Sequence, residues 1–210
     1  LTNGTIVNKY TLDSAKVAET LKYFSNSNVS NRMLVFEVPS TEKAAQVVIP
    51  MSGFMEYYNS GKTGSLAVRY GSTLFELPIE KIPFSELYQS LMVSSINSAN
   101  LFIQLEPVSK NQLPRPTTAA GINISSIADP IQISVSATNA SGAQSSGSLD
   151  FTGQLHYRAA GQASAAAQAS LVQYDTTSGA LSHVPSKVTS SGANLLFDGT
   201  ITGNTTIGPA

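Results

Sequence analysis

Two histidines, His156 and His183, supply the imidazoles that could act as a general base in this chain of 210 residues. A hydrolytic Ser–His–Asp triad would need one of them. Asp175 and His183 lie on the two arms of a predicted hairpin, which could bring the carboxylate to the ring. With 30 serines, a hydroxyl near a histidine is expected by chance, and no Gly-x-Ser-x-Gly elbow marks a nucleophile. We therefore interpret His183 as a half-exposed structural residue of the hairpin.

The segment Asn59-Ser-Gly-Lys-Thr-Gly64 contains the Gly-Lys-Thr of a phosphate-binding loop. The full motif has another glycine five residues before the glycine that precedes lysine, because the backbone there must wrap the phosphates. Glu56 occupies that position, and its carboxylate would repel them. The segment also follows a predicted helix, whereas the motif joins a strand to a helix. We therefore predict a polar loop that leads from a helix to a strand.

Pairs of carboxylates cleave glycosides when they lie roughly 5–10 Å apart in a cleft. Glu76, Glu80 and Glu86 cluster around the second of two helices that are predicted to begin after a proline. We interpret them as solvent-facing strand residues and as acidic residues at a helix start, where the helix dipole favours negative charge.

Four aspartates are candidate ligands for a metal ion: Asp129, Asp150, Asp175 and Asp198. Carboxylate oxygens suit calcium, but none of the four stands in an Asp-x-Asp-x-Asp-Gly loop. Each lies next to a predicted turn, where aspartate is common for conformational reasons. The two histidines are too few for a multi-histidine centre. Calcium binding is therefore an alternative that no motif supports, and no cofactor is predicted.

Exposed aromatic rings can stack on sugars, and Tyr57, Tyr58, Tyr70 and Phe75 are close enough in the sequence to form such a platform. Tyr58 also falls at the i+7 position of an apolar helical stripe that begins at Met51. We therefore predict that Tyr58 belongs to the core. No catalytic, cofactor-binding or metal-binding residue is assigned from the sequence.

The composition excludes several classes of protein. The formal net charge is −1 and 12% of the residues are charged, so the chain has no excess of positive charge that would attract nucleic acid or an anionic membrane. The absence of cysteine excludes disulfides, thiolate metal sites and cysteine nucleophiles. No stretch of about 18 apolar residues is present, so we predict no membrane span.

Serine and threonine are abundant, at 30 and 18 residues, and tryptophan and cysteine are absent. A hydroxyl-rich chain of low charge is more typical of a bacterial extracellular module than of a cytosolic enzyme. The sequence begins at Leu1 without a basic and then apolar leader, so we expect a mature form or an excised fragment.

A shift in composition near residue 110 divides the chain into two predicted domains. Of the 25 charged side chains, 19 precede residue 117. The stretch at 109–121 contains two prolines and shows no apolar periodicity, which is typical of a linker or a long exposed loop. We therefore predict domains at residues 1–108 and 122–210, joined by a linker at 109–121.

The first domain is predicted to alternate strands with helices. β-branched and aromatic residues predict strands at Thr5–Leu12, Met33–Val38, Ala45–Ile49, Ser65–Tyr70, Thr73–Leu77 and Asn100–Leu105. Apolar residues at helical spacing predict a first helix that Asp13 or Ser14 can cap, and further helices after Pro50 and Pro83. Each proline-led helix follows a pair of strands, so a ββα unit is used twice. A small α/β sheet with packed helices is therefore expected.

The second domain is predicted to be a small β-sandwich, because short alternating segments are separated by turn residues. These strands are expected at 131–137, 149–157, 171–174, 181–188 and 195–201. The alanine-rich segment at 158–170 has helical propensity but no large apolar anchor, so a helix there is the less favoured alternative. The predicted fold class is thus α+β, with an N-terminal α/β sheet domain followed by a C-terminal all-β sandwich-like domain.

The C-terminal hairpin resembles a module of large bacterial surface proteins, which lies upstream of S-layer homology repeats in Gram-positive cells. In that family a strand runs into an Asp-x-x-Thr/Ser-Gly turn and then a His-Val-Pro-Thr/Ser-Lys segment, as residues 172–188 do here. Leu74-Phe-Glu-Leu-Pro-Ile79 and the strand–Pro–helix unit around Pro50 carry the same resemblance, which covers about residues 10–207. It implies a surface-layer or spacer module without catalytic residues, although no anchoring repeat is present in this sequence.

We therefore expect a non-catalytic structural module of the bacterial cell surface, either a self-assembling S-layer or filament subunit or a spacer in a wall-anchored protein. Edge strands are expected to make homo-oligomers or polymers, with cell-wall polysaccharide as a further partner. The alternative is a carbohydrate-binding module attached to a secreted polysaccharide-active enzyme. Thr5–Leu12 and Thr200–Ile207 are candidates for adding to a neighbour's sheet, with pairing inside their own sheet as the simpler outcome.

Overall fold

The computed structural model describes residues 4–26, 32–91, 99–113, 124–139 and 149–210. Two mixed β-sheets form a sandwich, and strands account for 47% of these residues. The predicted α+β fold class is wrong, because the chain is mostly β and its few helices are connections between the sheets. A sandwich-like architecture, expected for the C-terminal part alone, includes strands from the N-terminal part as well.

The larger sheet has seven strands in the order β1-β3-β6-β7-β13-β9-β10. Their bounds are β1 Lys9–Thr11, β3 Ala45–Pro50, β6 Ala99–Pro107, β7 Ile131–Asn139, β9 Leu171–Tyr174, β10 Leu181–Val184 and β13 Thr205–Pro209. β1 runs parallel to β3, and the other neighbours are antiparallel.

The smaller sheet has six strands in the order β11-β12-β8-β5-β4-β2. Their bounds are β2 Met33–Val38, β4 Ser65–Tyr70, β5 Thr73–Pro78, β8 Thr152–Ala160, β11 Ser186–Ser191 and β12 Asn194–Thr202. The predicted hairpin at residues 65–77 is confirmed as β4 and β5, and Gly71 in its two-residue turn has a φ of 56°. β2 runs parallel to β4, and the other neighbours are antiparallel.

Short helices connect the two sheets. The α-helices are α1 Ser14–Asn26, α2 Met55–Asn59 and α3 Phe84–Leu91, and 3-10 turns lie at Met51–Gly53, Ile79–Lys81, Lys110–Gln112 and Ala163–Ala165. The predicted cap of the first helix is confirmed, because Asp13 Oδ1 accepts a hydrogen bond from the Lys16 amide at 2.9 Å. None of the helices in the described ranges is long and apolar enough to cross a membrane.

One hydrophobic core joins the two sheets and contains residues from both predicted domains. β6 pairs with β7 along its whole length, and β5 pairs with β8, so each sheet crosses from one predicted domain to the other. Alternation decides which side chains enter the core: Ile131, Ile133, Val135 and Ala137 of β7 are buried, whereas the residues between them face outward. The strands on both sides of the predicted linker therefore share a single interior.

The predicted helix after Pro50 is interrupted. A 3-10 turn at Met51–Gly53 precedes α2, which changes the phase of the apolar stripe. The core therefore receives Tyr57, whereas Tyr58 is exposed, so the prediction that Tyr58 is a core residue is wrong. Gly53 allows this turn to approach α1 closely, since a Cβ there would lie 3.0 Å from Val17 Cγ1.

Strand pairing decides two alternatives that the sequence left open. The alanine-rich segment at 158–170 forms the end of β8 and one 3-10 turn, so it is not an α-helix. Residues 200–207 belong to β12 and β13, which are each paired on both sides within their own sheets. Only the N-terminal candidate, shortened to β1, lies at a sheet edge.

Candidate functional site

His156 lies between two carboxylates on the outer face of the six-stranded sheet. Its Nδ1 is 2.6 Å from Asp198 Oδ1, and its Nε2 is 3.2 Å from Glu76 Oε2. The three side chains come from the neighbouring strands β5, β8 and β12, at positions that alternate with buried residues. Their side-chain exposures are 19% for Glu76, 38% for His156 and 44% for Asp198. The cluster therefore lies on an open sheet surface.

Both ring nitrogens of His156 are occupied, and this decides what the cluster can do. A general base needs one unprotonated nitrogen directed at the hydroxyl that it activates. Here each nitrogen lies within hydrogen-bond distance of a carboxylate oxygen, so neither is directed at a hydroxyl. The arrangement is suited to tying three strands together and not to activating a nucleophile.

Replacing His156 by alanine is expected to lower the free energy of unfolding by about 1 kcal/mol, because two partly exposed charge-assisted hydrogen bonds are lost. A double-mutant cycle with Asp198→Ala, read by urea unfolding, should show coupling of about 0.5–1 kcal/mol. Thr200→Ala, on the same face of β12, is the control and should not couple to His156. Strictly additive effects of His156→Ala and Asp198→Ala would contradict this assignment.

A shallow depression of about 320 Å³ adjoins His156 on the same face, and its outward-facing lining includes Arg69, Leu74, Arg158 and Leu196. Tyr157, between His156 and Arg158 on β8, is buried on the inner face and donates a hydrogen bond to the Asp129 carbonyl at 2.7 Å. Burial raises the pKa of Tyr157 above its ordinary value, and the Asp129 charge raises it further. The tyrosine is therefore held as a neutral donor.

The structure does not bring Asp175 to His183. Asp175 Oδ1 accepts hydrogen bonds from the amides of Thr177 at 2.8 Å and Ser178 at 3.1 Å, which closes the turn between β9 and β10. The Ser178 hydrogen bonds are the main cause that lowers the pKa of Asp175. His183 lies opposite Val172 and lines a groove of about 720 Å³ at the edge of the seven-stranded sheet. The turn explains Asp175 without a catalytic role.

The other sequence candidates are dispersed. The loop at residues 59–64 runs from α2 to β4, which confirms the predicted helix-to-strand loop, and Lys62 Nζ donates to the Ser25 carbonyl. Glu86 is exposed in the first turn of α3. Glu76 and Glu80 line a second depression of about 350 Å³ together with Arg32.

The four aspartates occupy different places. Asp129 accepts a hydrogen bond from the Lys110 amide at 3.0 Å, and Asp150 lines a depression beside Thr202. Asp198 belongs to the His156 cluster and Asp175 to its own turn. Within the described ranges, no group of three or more carboxylates and imidazoles is arranged to hold a metal ion.

The four aromatic residues that were candidates for a sugar-stacking platform do not form one. Tyr57, Tyr70 and Phe75 are buried in the core. Tyr58 is exposed, but its ring packs on Phe84 with 4.5 Å between the centroids. These rings therefore offer no coplanar surface to a sugar.

A polar cluster at Glu42 was not predicted from the sequence. Asn8 and Tyr10 both donate to Glu42 Oε1, at 2.7 and 3.0 Å, and Tyr70 donates to the Glu42 carbonyl at 2.6 Å. The Asn8 hydrogen bond is the main cause that lowers the pKa of Glu42. The cluster ties the loop between β2 and β3 to both sheets. Its members are far apart in the sequence, so no local pattern could have indicated it.

Comparison with protein-family models, curated proteins and solved structures found no match for this chain. The resemblance to the module upstream of S-layer homology repeats therefore stays a prediction.

Proposed function

We propose that this protein is a non-catalytic structural module of the bacterial cell surface that assembles with copies of itself through the edges of its sheets. The observation that carries the proposal is that the sandwich is open. In the described part of the chain, β1 and β10 end one sheet and β2 and β11 end the other. An unpaired strand edge presents backbone donors and acceptors that favour pairing with another chain.

The chemistry of the outer surface supports a structural role. The His156 cluster uses both ring nitrogens for cross-strand contacts, and the inner faces of its strands pack on a shared core. Low charge supports assembly as well, because 12 basic and 13 acidic residues leave little repulsion between copies. An extracellular location is part of the proposal and rests on the hydroxyl-rich, cysteine-free composition.

The experiment is to measure the mass of the purified chain by light scattering over a range of concentrations, followed by negative-stain electron microscopy. We expect species larger than the 22.0 kDa monomer, with a proportion that rises with concentration. A chain that stays monomeric at every concentration would contradict self-assembly. Binding to a polysaccharide by such a monomer would favour the carbohydrate-binding alternative instead.

A further inference from the structure

The four sheet edges differ in length and chemistry. β1 has three residues and β10 has four, which is too short for an extended ladder. β11 has six residues, but its sequence Ser-Lys-Val-Thr-Ser-Ser is polar and includes a lysine. β2 also has six residues, and its sequence is Met-Leu-Val-Phe-Glu-Val. Natural edges are usually protected by charged residues, proline, a bulge or short length, and β2 has a single charged residue, Glu37, with no lysine or proline within its span.

Among the described residues, no strand pairs with the outer edge of β2. Ser65 donates to the Arg32 carbonyl at 2.8 Å, and Met33 lies opposite Ser65 in the parallel register. In a parallel ladder, alternate residues direct both backbone groups to the neighbouring strand. The amides and carbonyls of Met33, Val35 and Glu37 therefore point away from β4, toward the edge.

β2 carries apolar side chains on both faces, with Glu37 as its one charged residue. Val35 is 41% exposed on the outer face of the sheet. Leu34 and Phe36 point toward the interior and pack against the core, but they stay partly exposed because the sheet ends there. Another strand placed against β2 would cover all three residues.

We propose that β2 pairs with β2 of a second copy of this chain in antiparallel orientation, which joins the two six-stranded sheets into one. This inference rests on the proposed self-assembly and names the surface that performs it. A two-fold axis perpendicular to the sheet makes each interacting surface identical, so one strand serves both copies. Pairing of this kind also keeps the outer faces of both sheets on the same side.

The open backbone groups select the register. When Val35 lies on the two-fold axis, it is opposite Val35 of the second copy, and Met33 is opposite Glu37 of the second copy. Each residue whose backbone groups point toward the edge is then opposite another such residue. A shift that centres Phe36 would instead place Met33 opposite Pro39, which lacks an amide hydrogen. The carbonyl of Pro39 already accepts a hydrogen bond from Glu42. The Val35-centred register therefore makes more hydrogen bonds.

The same register is compatible with the side chains. Leu34 is opposite Phe36 of the second copy on the inner face, where both side chains pack against the core. Glu37 meets Met33 of the second copy, so the two glutamates do not face each other. Cross-strand pairs of apolar residues stabilise a sheet, whereas like charges placed opposite each other destabilise it.

Val35→Lys is the first test, because it places two lysines opposite each other on the two-fold axis and leaves the core unchanged. We expect sedimentation equilibrium to show a dimer dissociation constant raised about tenfold or more. Thr189→Lys is the matched control, since Thr189 is also an outward-facing residue of a six-residue edge, in β11 of the same sheet. Circular dichroism should show that both variants remain folded. We expect Thr189→Lys to associate as the original chain does.

Single cysteines test the register, since the chain has no cysteine of its own. In a hydrogen-bonded antiparallel pair the Cα atoms of directly opposite residues lie about 5.5 Å apart, which is within the Cα separation that disulfides span. Under mild oxidation, Val35→Cys should form a covalent dimer, whereas Glu37→Cys and Thr189→Cys should stay largely uncrosslinked. This assay does not depend on the stability of the lysine variants.

The outcomes separate this inference from the proposed function. Association that is unaffected by Val35→Lys, or a Val35→Cys chain that crosslinks no faster than Thr189→Cys, would overturn the β2 interface while self-assembly still stood. A monomeric original chain would overturn both. Loss of association in Thr189→Lys alone would assign the interface to β11.

Discussion

A fragment that ends at residue 113 is expected not to fold. In that fragment β6 loses β7 along its full length and β5 loses β8, so both sheets are cut at their centres. Fully buried side chains such as Ile133, Val135 and Phe197 would be missing from the core. Without them, the apolar inner faces of the remaining strands would be exposed to water, and a domain has a net stability of only about 5–15 kcal/mol to lose.

The measurement is circular dichroism during thermal unfolding, together with the dispersion of amide proton resonances. The full chain is the positive control and should unfold in one cooperative transition. The fragment of residues 1–113 should show neither a transition nor dispersed resonances. Mixing it with the fragment of residues 114–210 is a further control, because the two share both sheets and should regain structure together. Cooperative unfolding of the first fragment alone would instead support the two-domain division predicted from the composition.

Phe75→Ala is expected to lower the free energy of unfolding by about 3–5 kcal/mol. Phe75 is fully buried on β5, and its ring meets the edge of Phe151 with 5.9 Å between the centroids. The ring also occupies the space beside Gly153, where a Cβ would lie 2.5 Å from Phe75 Cε2. Removing it leaves a cavity between the sheets that the paired strands around it cannot close.

Urea unfolding measures this loss, and two variants of the same strand serve as controls. Phe75→Leu keeps most of the apolar volume, so we expect a clearly smaller loss. Leu74→Ala changes the neighbouring residue, which faces outward into the depression beside His156, and should cost about 1 kcal/mol or less. A loss in Phe75→Ala no greater than that in Leu74→Ala would contradict the central place of Phe75 in the core.

Local structure could be predicted where neighbouring residues in the sequence determine it. The hairpin of β4 and β5 followed from alternating residues around Gly71, and the start of α1 followed from the capping group of Asp13. The apolar alternation of β7 indicated its buried face. Each of these features depends on residues a few positions apart.

The fold class could not be predicted in the same way. Short helices and strands follow one another in residues 1–108, which is also the pattern of an α/β sheet. Successive strands instead go to different sheets: β1 and β3 to one, β2 and β4 to the other. No local pattern specifies which sheet a strand joins, because the side-chain periodicity of a strand is the same in either sheet.

The candidate site was missed for a related reason. Glu76 and His156 are 80 positions apart in the sequence, and His156 and Asp198 are 42 apart. From the sequence, these residues were candidates for different kinds of site, because no local pattern indicates that β5, β8 and β12 are neighbours. Once the register is known, their meeting follows from alternation alone.

Sequence alone was thus sufficient for the positions of most strands, for the buried face of strands with clear alternation such as β7 and for the absence of any thiol chemistry. The pairing of strands across the predicted linker, the two carboxylates around His156 and the exposure of β2 were decided by the tertiary structure. The physical reason is that side-chain periodicity specifies which face is buried, whereas the neighbour of each strand is selected by the packing of the whole core.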